Sequence, residues 1–120
     1  MDDAIVKSGN TREFLTRERC HITELVNDPQ IQHFSLAEAR VEPGIRTELH
    51  RLDVAEWYVI RSGRGRVQLG GKPWSVVAPG DYLAIPAGTS QRIENTGAED
   101  LVFQCICVPR FSPDSYQSLE

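Results

Sequence analysis

The stretch Pro43 to Gly63, "PGIRTELHRLDVAEWYVIRSG", decides how this chain is read. A proline-glycine pair opens it and a serine-glycine pair closes it, and turn residues of this kind punctuate a chain between extended runs. Between them stand one histidine, His50, one glutamate six positions later, Glu56, and then the apolar aromatic run "EWYVI". With a side-chain period of two in a strand, Tyr58 and Ile60 share the side of Glu56, while Trp57 and Val59 face the other way. A histidine and a carboxylate at the entrance to an apolar strand raise the question of a metal or ligand site.

The pattern continues outward. Turn signals recur at "RSGRG", "LGGKP", "APGD", "PAGT" and "NTGAED", separated by the short runs "RVQLG", "WSVV", "YLAI" and "LVFQCICV". Many short, evenly spaced strands with no helical pattern between them predict an antiparallel all-β sandwich or barrel. The two glycines of "LGGK" supply the positive φ angles of a tight hairpin turn. In "SLAEARVE" helix propensity and pattern disagree: Ala37, Ala39 and Val41 alternate with Glu38, Arg40 and Glu42. Pro43 and Gly44 end the run too soon for a stable helix, so the period of two predicts a strand.

Upstream, "EFLTRERCHITELVN" alternates well enough for one or two strands and "NDP" closes it. Downstream, "VPRFSPDSYQSLE" carries two prolines and reads as an extended strap. The expectation is one domain over residues 1–120: an N-terminal strand arm at 1–33, a core barrel at about 34–108 and a tail at 109–120. A chain of this length buries one real core. An arm of this kind covers a sheet edge or exchanges with a second subunit, because an unpaired edge invites pairing. An outward Trp57 is then covered by that arm or by a subunit interface.

Composition narrows the partners. Hydrophobic residues are 40% and charged residues 25%, close to globular averages, which excludes disorder or a fibrous repeat. The net charge of -4 and pI near 5.4 have the wrong sign for phosphate neutralisation, so no nucleic-acid partner is expected. Arg61, Arg64, Arg66 and Lys72 read as solvated charges around a hairpin. The acidic start "MDDAIVKSGN" does not resemble a secretory signal and no run spans a bilayer, so the expected compartment is cytoplasmic, with no membrane partner. Three cysteines without CxxC spacing fit that compartment, and Cys105 and Cys107, two apart in a strand, read as small buried hydrophobes.

The spacing of special residues carries more than any one of them. Gly44 is followed at fixed intervals by His50, Leu52, Glu56 and Gly63, and Gly80 by Pro86, Gly88, Gln91 and Asn95. Over Gly44 to Asn95 this resembles the two motifs of the cupin superfamily. The first of these runs glycine, five residues, His-x-His, three or four residues, glutamate, six residues, glycine. The second runs glycine, five residues, Pro-x-Gly, two residues, histidine, three residues, asparagine. The resemblance implies a small jelly-roll barrel, or double-stranded β-helix, with an inner pocket and frequent dimerisation. Carried over residue by residue, the family's four metal ligands fall on His50, Leu52, Glu56 and Gln91. Only His50 and Glu56 match, for Leu52 cannot ligate and Gln91 offers only a neutral amide oxygen.

The expected metal set is therefore His50, Glu56 and Gln91, with one divalent transition ion (Mn, Zn, Ni or Fe) as the cofactor it could hold. His50 and Glu56 are the candidate catalytic pair, and Leu52, Tyr58, Ile60 and Ile93 the candidate pocket wall. A residue reading without metal stands beside this: His50 bonded to Glu56, and Gln91 offering its amide to a small organic ligand. Tyr82 is a remote candidate for an extra ligand or acid, and Ser90 has no partner that would make it a nucleophile. Three functions follow: a metal-assisted isomerase, lyase or epimerase on a sugar-like substrate; a non-catalytic small-molecule binder; or a structural homodimer.

Overall fold

The computed structural model describes residues 11–120 as eleven strands in two antiparallel sheets. β1 (Phe14–Leu15), β2 (His21–Val26), β3 (Ser35–Val41), β10 (Leu101–Val108), β5 (Ala55–Ser62) and β8 (Tyr82–Ile85) form one sheet, in that order. β11 (Tyr116–Ser118), β4 (His50–Leu52), β9 (Gln91–Asn95), β6 (Gly65–Leu69) and β7 (Ser75–Val77) form the other. From β3 to β10 the chain passes between the sheets at every step except the β6–β7 hairpin, the jelly-roll arrangement that the resemblance implies. The strand reading of "SLAEARVE" holds: Ala39 and Val41 are fully buried, and tertiary burial of that face overrides the helical propensity of its residues.

The inner faces of the sheets meet in one large apolar cluster that includes Val41, Ile60, Val67, Ile85, Ile93, Leu101 and Phe103. Each such side chain contributes about 1.5–3 kcal/mol by leaving water. A smaller cluster of Leu52, Val54 and Cys107 lies under Phe111 and Tyr116, so the C-terminal strap is packed down against the barrel. It does so through a single-turn 3-10 segment, Pro113–Ser115, and the pairing of β11 with β4.

The turn chemistry is as read. Gly70 and Gly71 take φ 59° and 73° at the β6–β7 hairpin. Gly44 and Gly80, each after a proline, take φ 78° and 94°. The upstream segment supplies two strands, and β2 pairs along β3, so the edge of β3 is covered within the chain. Trp57 is half-buried on the outer face, between Ile106 and Ala84 in the register of the neighbouring strands. Arg66 is taken up by Glu94 at 2.6 Å and by the ring of Trp74 at 4.3 Å. Tyr82 is 72% exposed on the outer side of an edge strand, so it faces solvent and not the pocket.

Candidate functional site

The two sheets leave a cavity of about 130 Å³ between them. Glu56 enters it from β5, His50 and Leu52 from β4, Ile93 from β9, and Tyr58 from one step further along β5. Ile60 and Gln91, which the sequence also placed at the pocket, are buried behind the lining. Ile60 lies beyond Tyr58 in the large apolar cluster that fills that part of the barrel. Gln91 is 1% exposed and accepts a very short hydrogen bond from the Tyr58 hydroxyl.

Glu56 is the most unusual group of the site. It is only 7% exposed, and its two oxygens are treated differently. Oε2 accepts from the Cys107 thiol at 3.6 Å, whereas Oε1 is buried with no hydrogen-bond partner. Burial pushes the Glu56 pKa up to about 7. The neighbouring Gln91 side chain opposes the shift; the charge of Glu18 adds to it; the Cys107 bond again opposes. A carboxyl in this state can give or take a proton near neutrality.

His50 does not bond Glu56. Its Nδ1 lies 2.7 Å from the backbone carbonyl of Glu48, and donation there leaves Nε2 as the acceptor of the neutral ring. Burial lowers its pKa, so the neutral form is the one present at neutral pH. Tyr116 of the strap stacks on the imidazole with centroids 4.6 Å apart, and its hydroxyl donates to Glu48 Oε1 at 2.6 Å. Glu48 therefore fixes both rings, one through its carbonyl and one through its carboxylate.

Among the lining residues that the sequence did not single out are Glu18 and Tyr116, and Cys107, read from the sequence as a small buried hydrophobe, lines the cavity as well. Glu18 sits at the tip of the β1–β2 hairpin, with its side chain 19% exposed and its Oε2 3.8 Å from His50 Nδ1. Its pKa is pushed up to about 7, first by burial and then by the charge of Glu48, with Thr16 opposing. Arg19 holds this tip in place. It adopts φ 68°, the left-handed position that closes such hairpins, and its Nε donates to the Arg46 carbonyl at 2.8 Å. The backbone carbonyl of Glu18 accepts from Glu48 N at 3.1 Å. Alternation in "ERCHITE" contained a usable signal, since Glu18, Cys20, Ile22 and Glu24 share one side and all four line the cavity. Tyr116 carried no such signal, because its strand is three residues long.

The donors fall short of a tight transition-metal site. Leu52, 4% exposed, occupies one ligand position with an apolar side chain, and the Gln91 oxygen is already an acceptor for Tyr58. Among the described residues, no group of three His, Cys, Asp or Glu side chains stands close enough to hold an ion. His50 and Glu56, which both line the cavity, supply two ligands and do not make a catalytic zinc site, which takes three protein ligands.

The comparisons agree with this architecture. The chain is 34% identical over 113 residues to the uncharacterized protein MJ1618 of Methanocaldococcus jannaschii, covering 91% of this chain and 89% of that protein. Among solved structures it is similar to oxalate decarboxylase from Bacillus subtilis, with TM-score 0.80, 24% identity and 98% of this chain covered. The chain spans only 34% of that enzyme's length. It is also similar to the polyketide cyclase RemF from Streptomyces resistomycificus, with TM-score 0.79 and 18% identity, covering 98% of this chain and 86% of that one. At these identities the solved structures speak for the fold alone. Among the described residues no helix is long and apolar enough to cross a membrane. The model of the cupin domain matches residues 37–109, more than half of the chain, and the chain belongs to the cupin family.

Proposed function

We propose that this cupin binds a small organic molecule in the inner cavity, with the molecule's polar group on Glu56 and His50 and its apolar body against Leu52, Ile93 and Phe103. One observation carries the reading: Glu56 Oε1 is buried in the cavity wall with no partner from the protein. Leaving a buried acceptor unpaired costs about 1–3 kcal/mol, more for a charged group, and a donor on a ligand removes that cost. A cavity of about 130 Å³ has room for a molecule of roughly one aromatic ring. The neutral His50 offers an acceptor beside it, so a hydroxyl or amine could donate to one side while Glu56 donates or accepts on the other. The same pair can move a proton, which keeps an isomerase or lyase reaction on a bound substrate within the chemistry of the site.

A thermal-shift screen of small ring compounds in the presence of EDTA tests this. Hits should raise the melting temperature of the wild type and lose most of that rise in Glu56→Gln. A screen whose hits are indifferent to Glu56→Gln would place binding elsewhere.

A weakly held divalent ion on His50 and Glu56 is the second reading. The His50 orientation favours it, since Nδ1 held by a carbonyl is the usual support of a ligating histidine. The outer face of the six-stranded sheet, where Trp57 and Val59 stand beside Tyr82 and Ala84, supports a dimer reading. Light scattering that gives a monomer mass at micromolar concentration would remove it.

A further inference from the structure

The small-molecule reading leaves the charge of the ligand open, and the cavity has a marked bias. Three carboxyl residues line it, Glu18, Glu24 and Glu56, and among the described residues no lysine or arginine does. The nearby guanidinium of Arg19 is turned away, with Nε on the Arg46 carbonyl and Nη2 on Glu120 at 3.1 Å. The one basic side chain on the wall, His50, is held by its Nδ1 to a carbonyl. Arg40 is committed to Glu13 and Asp100. Glu24 is exposed and accepts from Asn27, but Glu18 and Glu56 share a poorly solvated space without counter-charges, which leaves an unfilled electrostatic requirement.

An acidic cluster alone would not locate a ligand, but here one member is unpartnered. Glu56 is more than nine-tenths buried and lines the cavity, and its Oε1 has no hydrogen bond. The remaining wall is aromatic and aliphatic, with Tyr58, Phe103, Phe111 and Tyr116 among the lining residues. Aromatic faces attract cations and repel anions.

We propose that the cavity takes a small organic cation, an ammonium group on a compact apolar body, with the ammonium between Glu56 and Glu18 and the body against the aromatic wall. This rests on the small-molecule reading and adds the sign of the charge. An ammonium supplies the hydrogen-bond donor that Glu56 Oε1 lacks and the positive charge that the glutamates lack. The chemistry correspondingly excludes a carboxylate ligand, which would meet Glu18 and Glu56 with no cationic side chain to receive it. Glu18 comes from the hairpin tip, outside the strands that hold His50 and Glu56, so it is the residue that would set this preference in a fold shared with many other pockets.

Calorimetric titration of the full chain in EDTA with benzylammonium, benzyl alcohol and benzoate tests the proposal, since the three differ in charge and little in size. Benzylammonium is expected to bind about tenfold or more tighter than either of the others. In Glu18→Gln, a surface-proximal change that spares the barrel, and in the near-isosteric Glu56→Gln, this preference should shrink several-fold. Equal binding of all three, or tightest binding of benzoate, overturns the cation assignment while the small-molecule reading stands. Failure of all three to bind overturns both. A preference for benzylammonium that survives unchanged in both variants also overturns the proposal, because the cation would then be held by other groups.

Discussion

Cys107 lies directly opposite Glu56 in the register of β10 and β5, and its thiol donates to one carboxyl oxygen, Oε2, at 3.6 Å while the other oxygen has no partner. This asymmetry makes Glu56 a half-satisfied acid at the edge of a cavity. The thiol is itself pushed well above its ordinary pKa by burial and by the neighbouring Glu56 charge, so it stays protonated and acts as a donor. Cys107→Ala should remove a bond that holds the Glu56 pKa down. The Glu56 carboxyl, followed by carbon-13 NMR across a pH series, is then expected to titrate higher than in the wild type. An unmoved or lower transition would show that the thiol does not tune it.

The raised Glu56 pKa also has a sign in stability. The folded protein holds this proton more tightly than the unfolded chain, so between the ordinary value of 4.5 and about 7 it carries more protons. Stability from this group therefore falls as pH rises through that window, and the full cost is present above it. His50 acts in the opposite sense: its lowered pKa gives stability that grows as pH rises toward 6.5. Glu56→Gln leaves the histidine in place, so comparing the variant with the wild type isolates the carboxyl. Between about pH 5 and about pH 8 the wild type should lose on the order of 2–3 kcal/mol more than the variant in denaturant titrations. Parallel curves would contradict the buried, unpaired carboxyl.

The strap should matter through Tyr116. Tyr116→Phe removes the 2.6 Å bond to Glu48 but keeps the ring on His50, and a cost of about 1–2 kcal/mol is expected. Tyr116→Ala removes both and should also shift the His50 ring resonances in NMR. If Tyr116→Ala left those resonances unchanged, the stacked arrangement would be wrong.

Metal binding should follow the two missing histidines. Leu52→His combined with Gln91→His restores the pattern of both family motifs, and the double variant is expected to retain about one equivalent of Zn²⁺ or Ni²⁺ by elemental analysis after desalting. The wild type, treated alike after EDTA, should keep less than about a tenth of that. A wild type that holds its ion through EDTA would mean that Leu52 and Gln91 do not weaken the site.

The barrel was legible because its signals are local and repeated. Turn glycines fix where the chain reverses, alternation fixes which side of "SLAEARV" and "EWYVI" goes inward, and the spaced motifs from Gly44 to Asn95 tie these into one architecture. His50, Leu52 and Glu56, placed by the motif resemblance, and Tyr58 and Ile93, placed by strand parity, do line the cavity. Ile60 and Gln91 do not, because parity gives a side and not a depth, and the barrel is filled below Tyr58. Tyr116 depends on contacts between the strap and positions 48–50 that no local pattern encodes, whereas the alternation in "ERCHITE" does put Glu18 on the cavity side and leaves open only what it meets there. The partner of His50 was misread for a related reason: a backbone carbonyl two residues away has no signature in the sequence.

The most direct test of the central claim is a crystal structure of the wild type soaked with a ring-sized probe that stabilises it in EDTA. The account predicts the probe inside the cavity with a donor atom within about 3.2 Å of Glu56 Oε1. A probe seated outside the barrel, or inside it with Oε1 still unpartnered, would contradict it.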